Sequence, residues 1–210
     1  MAAFEDADSV SVCWKTFGDS GKAHWDGGSI LDGFVRSAEH PTQASGIKNF
    51  FRVGTFRSSA PHCPKLPTKP AEDVRAVTTQ GTALGTEPLT VGWMTSYRLK
   101  DEDFTWSKAC INHYVHKSHD LCAVTRHFRG DANGRDNAVF KRTVGHRDYN
   151  AFNRNDVEDL SIQRFRDKRI AIINNIMALP DVSDLHDTSK QWYFDRISEL
   201  QKGDPADPSS

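Results

Sequence analysis

A change of hydrophobic period near the middle of the chain restricts its architecture more than any other feature. Across 109–115, Ala109, Ile111, His113 and Val115 alternate with Cys110, Asn112 and Tyr114, the period of a strand. Ser118 then stands where a helix should start, with Asp120 in the first turn, where the helix dipole favours a negative charge. Leu121, Cys122, Thr125 and Phe128 follow at helical spacing, and Arg129-Gly130 reads as the stop. His113 is therefore expected at a strand end, with His116 and His119 flanking the turn. A strand end feeding a helix start is a common ligand position in α/β proteins, because backbone amides there point at anions.

Three of the nine histidines fall within the seven positions 113–119. Spacing alone does not make them a metal cage, since on a strand they alternate faces and on a helix the first and third diverge. A surface or hydrogen-bonded core histidine is the ordinary alternative.

The 27 basic and 28 acidic residues nearly cancel, so no net field attracts nucleic acid or an anionic membrane. No apolar run approaches the length of a bilayer span, and Met1-Ala-Ala-Phe-Glu-Asp lacks the regions of a signal peptide, so a cytoplasmic protein is expected. Cys13, Cys63, Cys110 and Cys122 are scattered without a C-x-x-C pair and read as reduced thiols, mostly buried.

In chain order, 9–14 (Ser-Val-Ser-Val-Cys-Trp) predicts a strand with Val10 and Val12 on one face. Gly18 and Gly21 follow it, and such glycines allow a tight turn or close approach to a ligand. Residues 30–36 predict a short helix weakened by Gly33, and 47–53 a second strand. Between 54 and 90 the chain is rich in Pro, Thr and Gly, which predicts a long loop acting as a lid or insertion, with His62 as a solvated loop histidine. Asp101-Glu-Asp103 has letters that suit a divalent cation but ordinarily marks a solvated turn. Residues 155–180 predict a helix capped by Asn155, with Val157, Leu160, Phe165, Ile172, Ile176 and Leu179 as its apolar stripe and Pro180 as its end. Residues 188–201 predict a last amphipathic helix with Trp192, Tyr193, Ile197 and Leu200 inward, before a polar tail.

Several of these pieces, in this order, resemble one group of enzymes. Val12-Cys-Trp14-Lys-Thr-Phe17-Gly18-Asp-Ser-Gly21 is similar to the Trp-x-x-Phe-Gly-Ser-x-Gly segment of family 2 and family 92-like bacterial glycosyltransferases with a GT-A fold. Leu31-Asp32-Gly33-Phe34 takes the place of their Glu-Arg-Phe segment. Residues 47–52 resemble their Lys-x-Ile-Val-Arg strand, and Pro61-His62-Cys63-Pro64 their His-x-Pro loop. The most specific match is Ile111-Asn112-His113-Tyr114-x-x-Lys117-Ser118, with Arg129-Gly130 after one helix and Asn155 and Asp159 beyond; together these pieces cover about residues 8 to 168.

The resemblance implies an α/β (α+β) fold, a partial GT-A-like mixed sheet over 1–180 with a carboxy-terminal helix and tail over 181–210. It implies transfer of a sugar from a nucleotide-sugar to a glycan or other hydroxyl acceptor. In that chemistry Mn²⁺ or Mg²⁺ neutralises the leaving diphosphate and a carboxylate takes the acceptor proton. His113 would then be a metal ligand and Asp32 the base. Trp14, Phe17, Gly18 and Gly21 would lie against sugar, and Lys117, Ser118 and Arg129 would face phosphate. The family's amino-terminal half has no counterpart here, although Asp6-Ala-Asp8 has the letters of its Asp-x-Asp motif. That departure implies the carboxy-terminal portion of a larger or split enzyme, or a degenerate homologue. Two other classes stand beside it: a non-catalytic glycan- or partner-binding module, and a metal-dependent hydrolase or nuclease built on His113, His116 and His146.

Overall fold

The computed structural model describes residues 4–41, 46–90, 99, 101–128, 149–150 and 152–203. Its elements in chain order are β1 (Ser9–Thr16), α1 (Ile30–Gly33), β2 (Arg36–Ser37), β3 (Ile47–Phe51), β4 (Phe56–Ser59), β5 (Pro64–Pro67), β6 (Ala76–Thr78), β7 (Ala83–Leu84), α2 (Glu87–Thr90), β8 (Ile111–His113), α3 (His119–Phe128), β9 (Val157–Glu158), α4 (Arg166–Met177) and α5 (Val182–Gly203). Short 3₁₀ turns occupy Ala71–Asp73, Asp101–Asp103 and Ser161–Phe165. Strands and helices are mixed, and the long helices are carboxy-terminal, which is α+β content. The chain divides into two compact units, one of Met1–Thr16 with Ala38–His113, the other of Phe17–Ser37 with Tyr114–Ser210.

The first unit is built around β1. One edge of that strand pairs antiparallel with β3, from Ser9 opposite Phe51 to Cys13 opposite Ile47. The other edge is shared by two parallel partners: β6 takes Ser9 to Ser11 and β8 takes Trp14 to Thr16. β7 extends the sheet beyond β6 as an antiparallel strand. Ser9 and Ser11, on the other face of β1 from Val10 and Val12, are buried. Their hydroxyls are satisfied locally, because the Asn49 amide donates to Ser9 Oγ at 2.9 Å and to Ser11 Oγ at 2.8 Å. A paired buried hydroxyl costs little, so a central strand tolerates serines. Cys13, Ile47, Phe56, Cys63, Val74, Ala76, Leu84 and Leu89 form the core, with Phe104 and Trp106 packed against it.

The stretch expected to be a long loop carries four short strands. β4 and β5 pair as a hairpin with Phe56 opposite Pro67 and Ser59 opposite Pro64, and β6 and β7 pair as another. Prolines mark the ends of β5 and leave its middle free to pair, the placement that a residue lacking an N–H permits.

In the second unit, β2 and β9 pair antiparallel, Arg36 with Glu158 and Ser37 with Val157. Residues 157–158 are therefore strand, and the helix expected from Asn155 begins instead at Arg166. The apolar residues expected as the stripe of that helix are open: Leu160, Phe165, Ile172, Ile176 and Leu179 are each about half exposed. α5 starts six residues earlier than expected. It is held through Trp25, whose indole stacks on Phe194 with ring centres 5.6 Å apart and meets Tyr193 edge-on. Ile197 is buried and Tyr193 half-buried, as the helical spacing foresaw, while Trp192 is largely exposed.

No helix among the described residues is long and apolar enough to cross a membrane. The four cysteines are all thiols, three buried and Cys110 half-buried.

Candidate functional site

The residues singled out by sequence fall into two groups, one in each unit. In the first unit, the parallel register sets Trp14 opposite Ile111 and Thr16 opposite His113, so Trp14 and His113 are diagonal neighbours on one sheet face. Their rings stack, with centres 3.8 Å apart and planes 14° from parallel. His62 joins them, its ring 5.3 Å from the indole and tilted, with Nδ1 3.1 Å from the Ile47 carbonyl oxygen. That histidine is thus part of an aromatic cluster, where a solvated loop side chain was expected. Lys48 Nζ lies 6.0 Å from the Trp14 ring centre and donates to the Pro61 carbonyl. Trp106 Nε1 donates to the Trp14 carbonyl at 3.0 Å, and Lys15 Nζ sits 5.0 Å over the Trp106 ring. The result is a half-buried aromatic platform flanked by two ammonium groups.

Gly46 fixes the indole from the neighbouring strand's approach. Its carbonyl accepts the Trp14 N–H at 2.8 Å, and a Cβ there would come within 2.5 Å of the indole ring. Only glycine lets the backbone pass that close.

In the second unit, the turn holding Gly18 and Gly21 is fastened by amides. Asp19 Oδ1 accepts from the Gly21 N–H at 2.8 Å and Asn155 Nδ2 at 2.9 Å; Oδ2 accepts from Asn153 Nδ2 at 2.7 Å and Tyr149 OH at 3.0 Å. Each asparagine also returns a bond, Asn153 Oδ1 accepting the Asp19 N–H at 2.7 Å and Asn155 Oδ1 the Ser20 N–H at 2.8 Å. Four donors occupy the four acceptor positions of the carboxylate. Burial alone would raise the Asp19 pKa, but these hydrogen bonds outweigh it and hold the carboxyl below its ordinary range. Tyr149 is shifted the other way, its hydroxyl pushed up by burial and by the Asp19 charge.

This arrangement reassigns several residues. A Cβ at Gly18 would meet Asn155 Oδ1, the Arg154 carbonyl and Asn153 Oδ1 at 2.5 to 2.7 Å, so this glycine admits the asparagine loop. Gly21, with φ of 75°, turns the chain so that its N–H reaches Asp19. Phe17 is fully buried against Tyr114, with ring centres 4.6 Å apart, and is core. Ser118 is fully buried, and its hydroxyl donates to the Asp120 carboxylate, which also accepts the Trp25 N–H at 3.0 Å. Lys117 offers its carbonyl to Tyr149 OH at 3.2 Å. Asp32 is bonded to Arg169, with Arg166 Nε at 3.8 Å. Burial pulls its pKa upward, but the contacts of Arg169, Ser29 and Gln163 together outweigh it and hold it low. A carboxylate stabilised in its charged form is a poorer proton acceptor.

Arg129 and His146 lie outside the described residues. His116 is buried, with Nδ1 3.0 Å from Cys122 Sγ and its ring 5.1 Å from Tyr149, so it serves aromatic packing. Asp8, the second letter of the Asp-x-Asp run, accepts the Arg75 N–H at 2.7 Å and pairs with Lys69 at 2.8 Å. Among the described residues no group of three or more His, Cys, Asp or Glu side chains forms a shell for a metal ion.

Asn153, Asn155 and Tyr149 are the functional-looking residues that sequence reasoning placed elsewhere or passed over. The i, i+2 amide pair was the available signal, since that spacing sends two side chains to one side of extended backbone. Comparison with protein-family models, with curated proteins and with solved structures returns no match.

Proposed function

We propose that the chain is a glycosyltransferase of the GT-A type, or the acceptor-side part of one, and that the Trp14–His113 platform is where a sugar ring rests. The stacked pair carries this reading. Aromatic faces receive the C–H face of a pyranose through apolar and dispersion contact, while polar groups at the rim bond its hydroxyls. His113 and His62 supply ring nitrogens beside the indole, and Lys48 and Lys15 place positive charge at its flanks, which suits the diphosphate of a nucleotide-sugar. Any divalent cation in the reaction would draw at least some of its ligands from beyond the described residues.

A second reading is a module that binds glycan without transferring it. The Asp32–Arg169 pair favours it, because the expected base is held in its charged form by an arginine.

Calorimetric titration with a panel of nucleotide-sugars and oligosaccharides, with and without Mn²⁺, tests both. Under the first reading at least one nucleotide-sugar binds saturably, His113→Ala and Trp14→Leu each weaken it at least tenfold, and nucleoside diphosphate is released when acceptor is present. Oligosaccharide binding with no such release selects the second. Absence of any binding that depends on Trp14 rejects both.

A further inference from the structure

We propose that the outer edge of β3 is a strand-addition site for an extended acidic segment of a partner protein, one that sets an aliphatic residue between two carboxylates. β3 ends the sheet of the first unit and pairs with β1 alone among the described strands. Its bonds to β1 fix which groups face outward. The Arg52 N–H donates to the Asp8 carbonyl at 2.9 Å, and the Gly46 carbonyl accepts the Trp14 N–H at 2.8 Å. In an antiparallel ladder of this register Gly46, Lys48, Phe50 and Arg52 turn their main-chain groups toward β1, while Ile47, Asn49 and Phe51 turn theirs away.

The outward row is closed at one end and open along the rest. The Ile47 carbonyl accepts from His62 Nδ1 at 3.1 Å. The N–H and C=O groups of Asn49 and Phe51 have no hydrogen-bond partner among the described residues. Apolar side chains on the surface border this opening, with Phe50 70%, Phe51 39% and Val53 97% exposed. An unpaired edge beside exposed apolar side chains is a template for another strand.

Charge decides which strand fits. Lys48 and Arg52 stand two positions to either side of Phe50 and share its face of the sheet. Among the described residues no carboxylate lies within ion-pair distance of either. Lys48 donates to the neutral Pro61 carbonyl, and Asp8, which feels the Arg52 charge, is already bonded by Lys69 at 2.8 Å and by the Arg75 N–H at 2.7 Å. A strand with an aliphatic residue opposite Phe50 and Asp or Glu two positions to either side makes opposite-charge cross-strand pairs with both. A second copy of this chain does not: the symmetric antiparallel register that joins Asn49 of one copy to Phe51 of the other sets Lys48 directly opposite Arg52, and like charges so placed destabilise the pair. Because the bonding groups are main chain, this surface does not rest on the sugar reading.

Fluorescence anisotropy of the full chain with a labelled, end-capped peptide, Thr-Thr-Asp-Thr-Val-Thr-Asp-Thr-Thr, tests it. Saturable binding is expected, about tenfold or more tighter than that of the same peptide with Lys in place of Asp, as the cross-strand charges require. N-methylation of alternate peptide residues removes the donors along one peptide edge, so one alternating set should abolish binding and the other leave it within about twofold. Amide exchange followed by NMR should show the Asn49 and Phe51 N–H groups slowed by the peptide, with Lys48 and Phe50, already bonded to β1, protected in both states. Lys48→Glu combined with Arg52→Glu should reverse the preference between the acidic and basic peptides. No saturable binding, equal binding of the two peptides, equal loss from both methylated sets, or unchanged exchange at Asn49 and Phe51 would each overturn the proposal. Should the double variant not fold, the peptide series and the exchange measurement on the native chain decide.

Discussion

The imidazole of His113 lies stacked on the indole of Trp14 because parallel pairing of β1 and β8 puts two residues separated by nearly a hundred positions diagonally across one sheet face. The stack should contribute to stability as well as to binding. His113→Ala is expected to lower the unfolding free energy by about 0.5–1.5 kcal/mol, the usual worth of an aromatic pair beyond its buried area. Urea denaturation followed by tryptophan fluorescence measures it; an unchanged midpoint would mean that the contact is incidental.

Gly46→Ala should disturb the platform from its other neighbour. The new methyl would meet indole atoms near 2.5 Å, and the ring must move. A loss of about 1–3 kcal/mol is expected from overpacking, together with weaker sugar binding. Equal stability of the alanine variant and the native chain would show that the indole is not confined there.

The Asp19 latch makes a sharper demand on the second unit. Asp19→Ala strands the donors of Asn153, Asn155 and Tyr149, and should cost about 2–4 kcal/mol, since bonds to a charged group are worth roughly 1.5–3 kcal/mol each before relaxation. Asn153→Ala and Asn155→Ala should be non-additive with it, because all three share one network. A double-mutant cycle by chemical denaturation reads the coupling, and simple additivity would dissolve the latch into independent contacts.

Acid should loosen the fold through the same group. The Asp8 and Asp19 carboxyls both have pKa values below the ordinary 3.8 in the folded chain. Their ionised forms therefore stabilise the native state above that pH, and the contribution is lost as pH falls through the lower folded values. Thermal midpoints should be flat near neutrality and fall steeply below about pH 4. Asp19→Asn should flatten that acid limb; a limb of unchanged depth would assign it to other groups.

Asp32→Asn separates the two functional readings at little risk to the fold. The carboxylate is on the surface, and exposed ion pairs are worth about 0–1 kcal/mol, so the variant should be nearly as stable as the native chain. Loss of sugar transfer with retained binding would make Asp32 the base; transfer at the native rate would leave its pairing with Arg169 purely structural.

Much of the first unit was legible because its strands obey period two. β3 and β8 lie within the stretches where alternation and β-branched residues put them, and β1 covers its expected stretch and two residues more. The region from 54 to 90 was not, because its strands are two to four residues long, too short for periodicity to register. Near Asn155, local preference for a helix cap competed with long-range bonds to Asp19 and Ser20 and with pairing of Val157 to Ser37, and the tertiary contacts won. The apolar stripe read over 155–180 does not form one helix face, since Val157 is in a strand, Leu160 precedes the helix and Leu179 follows it. In the site, Trp14 and His113 were both singled out, and Gly18 also, while the partners that explain Gly18 lie over 130 residues away and leave no local trace.

Two-dimensional NMR of the chain with labelled tryptophan and histidine, titrated with the nucleotide-sugar that binds tightest, addresses the platform itself. The Trp14 indole N–H and the His113 ring resonances should shift together along one saturation curve, with the other tryptophan indoles moving less, and His113→Ala should abolish the Trp14 shift. Saturation with those two rings unmoved, or identical binding by His113→Ala, would contradict a sugar resting on the stacked pair.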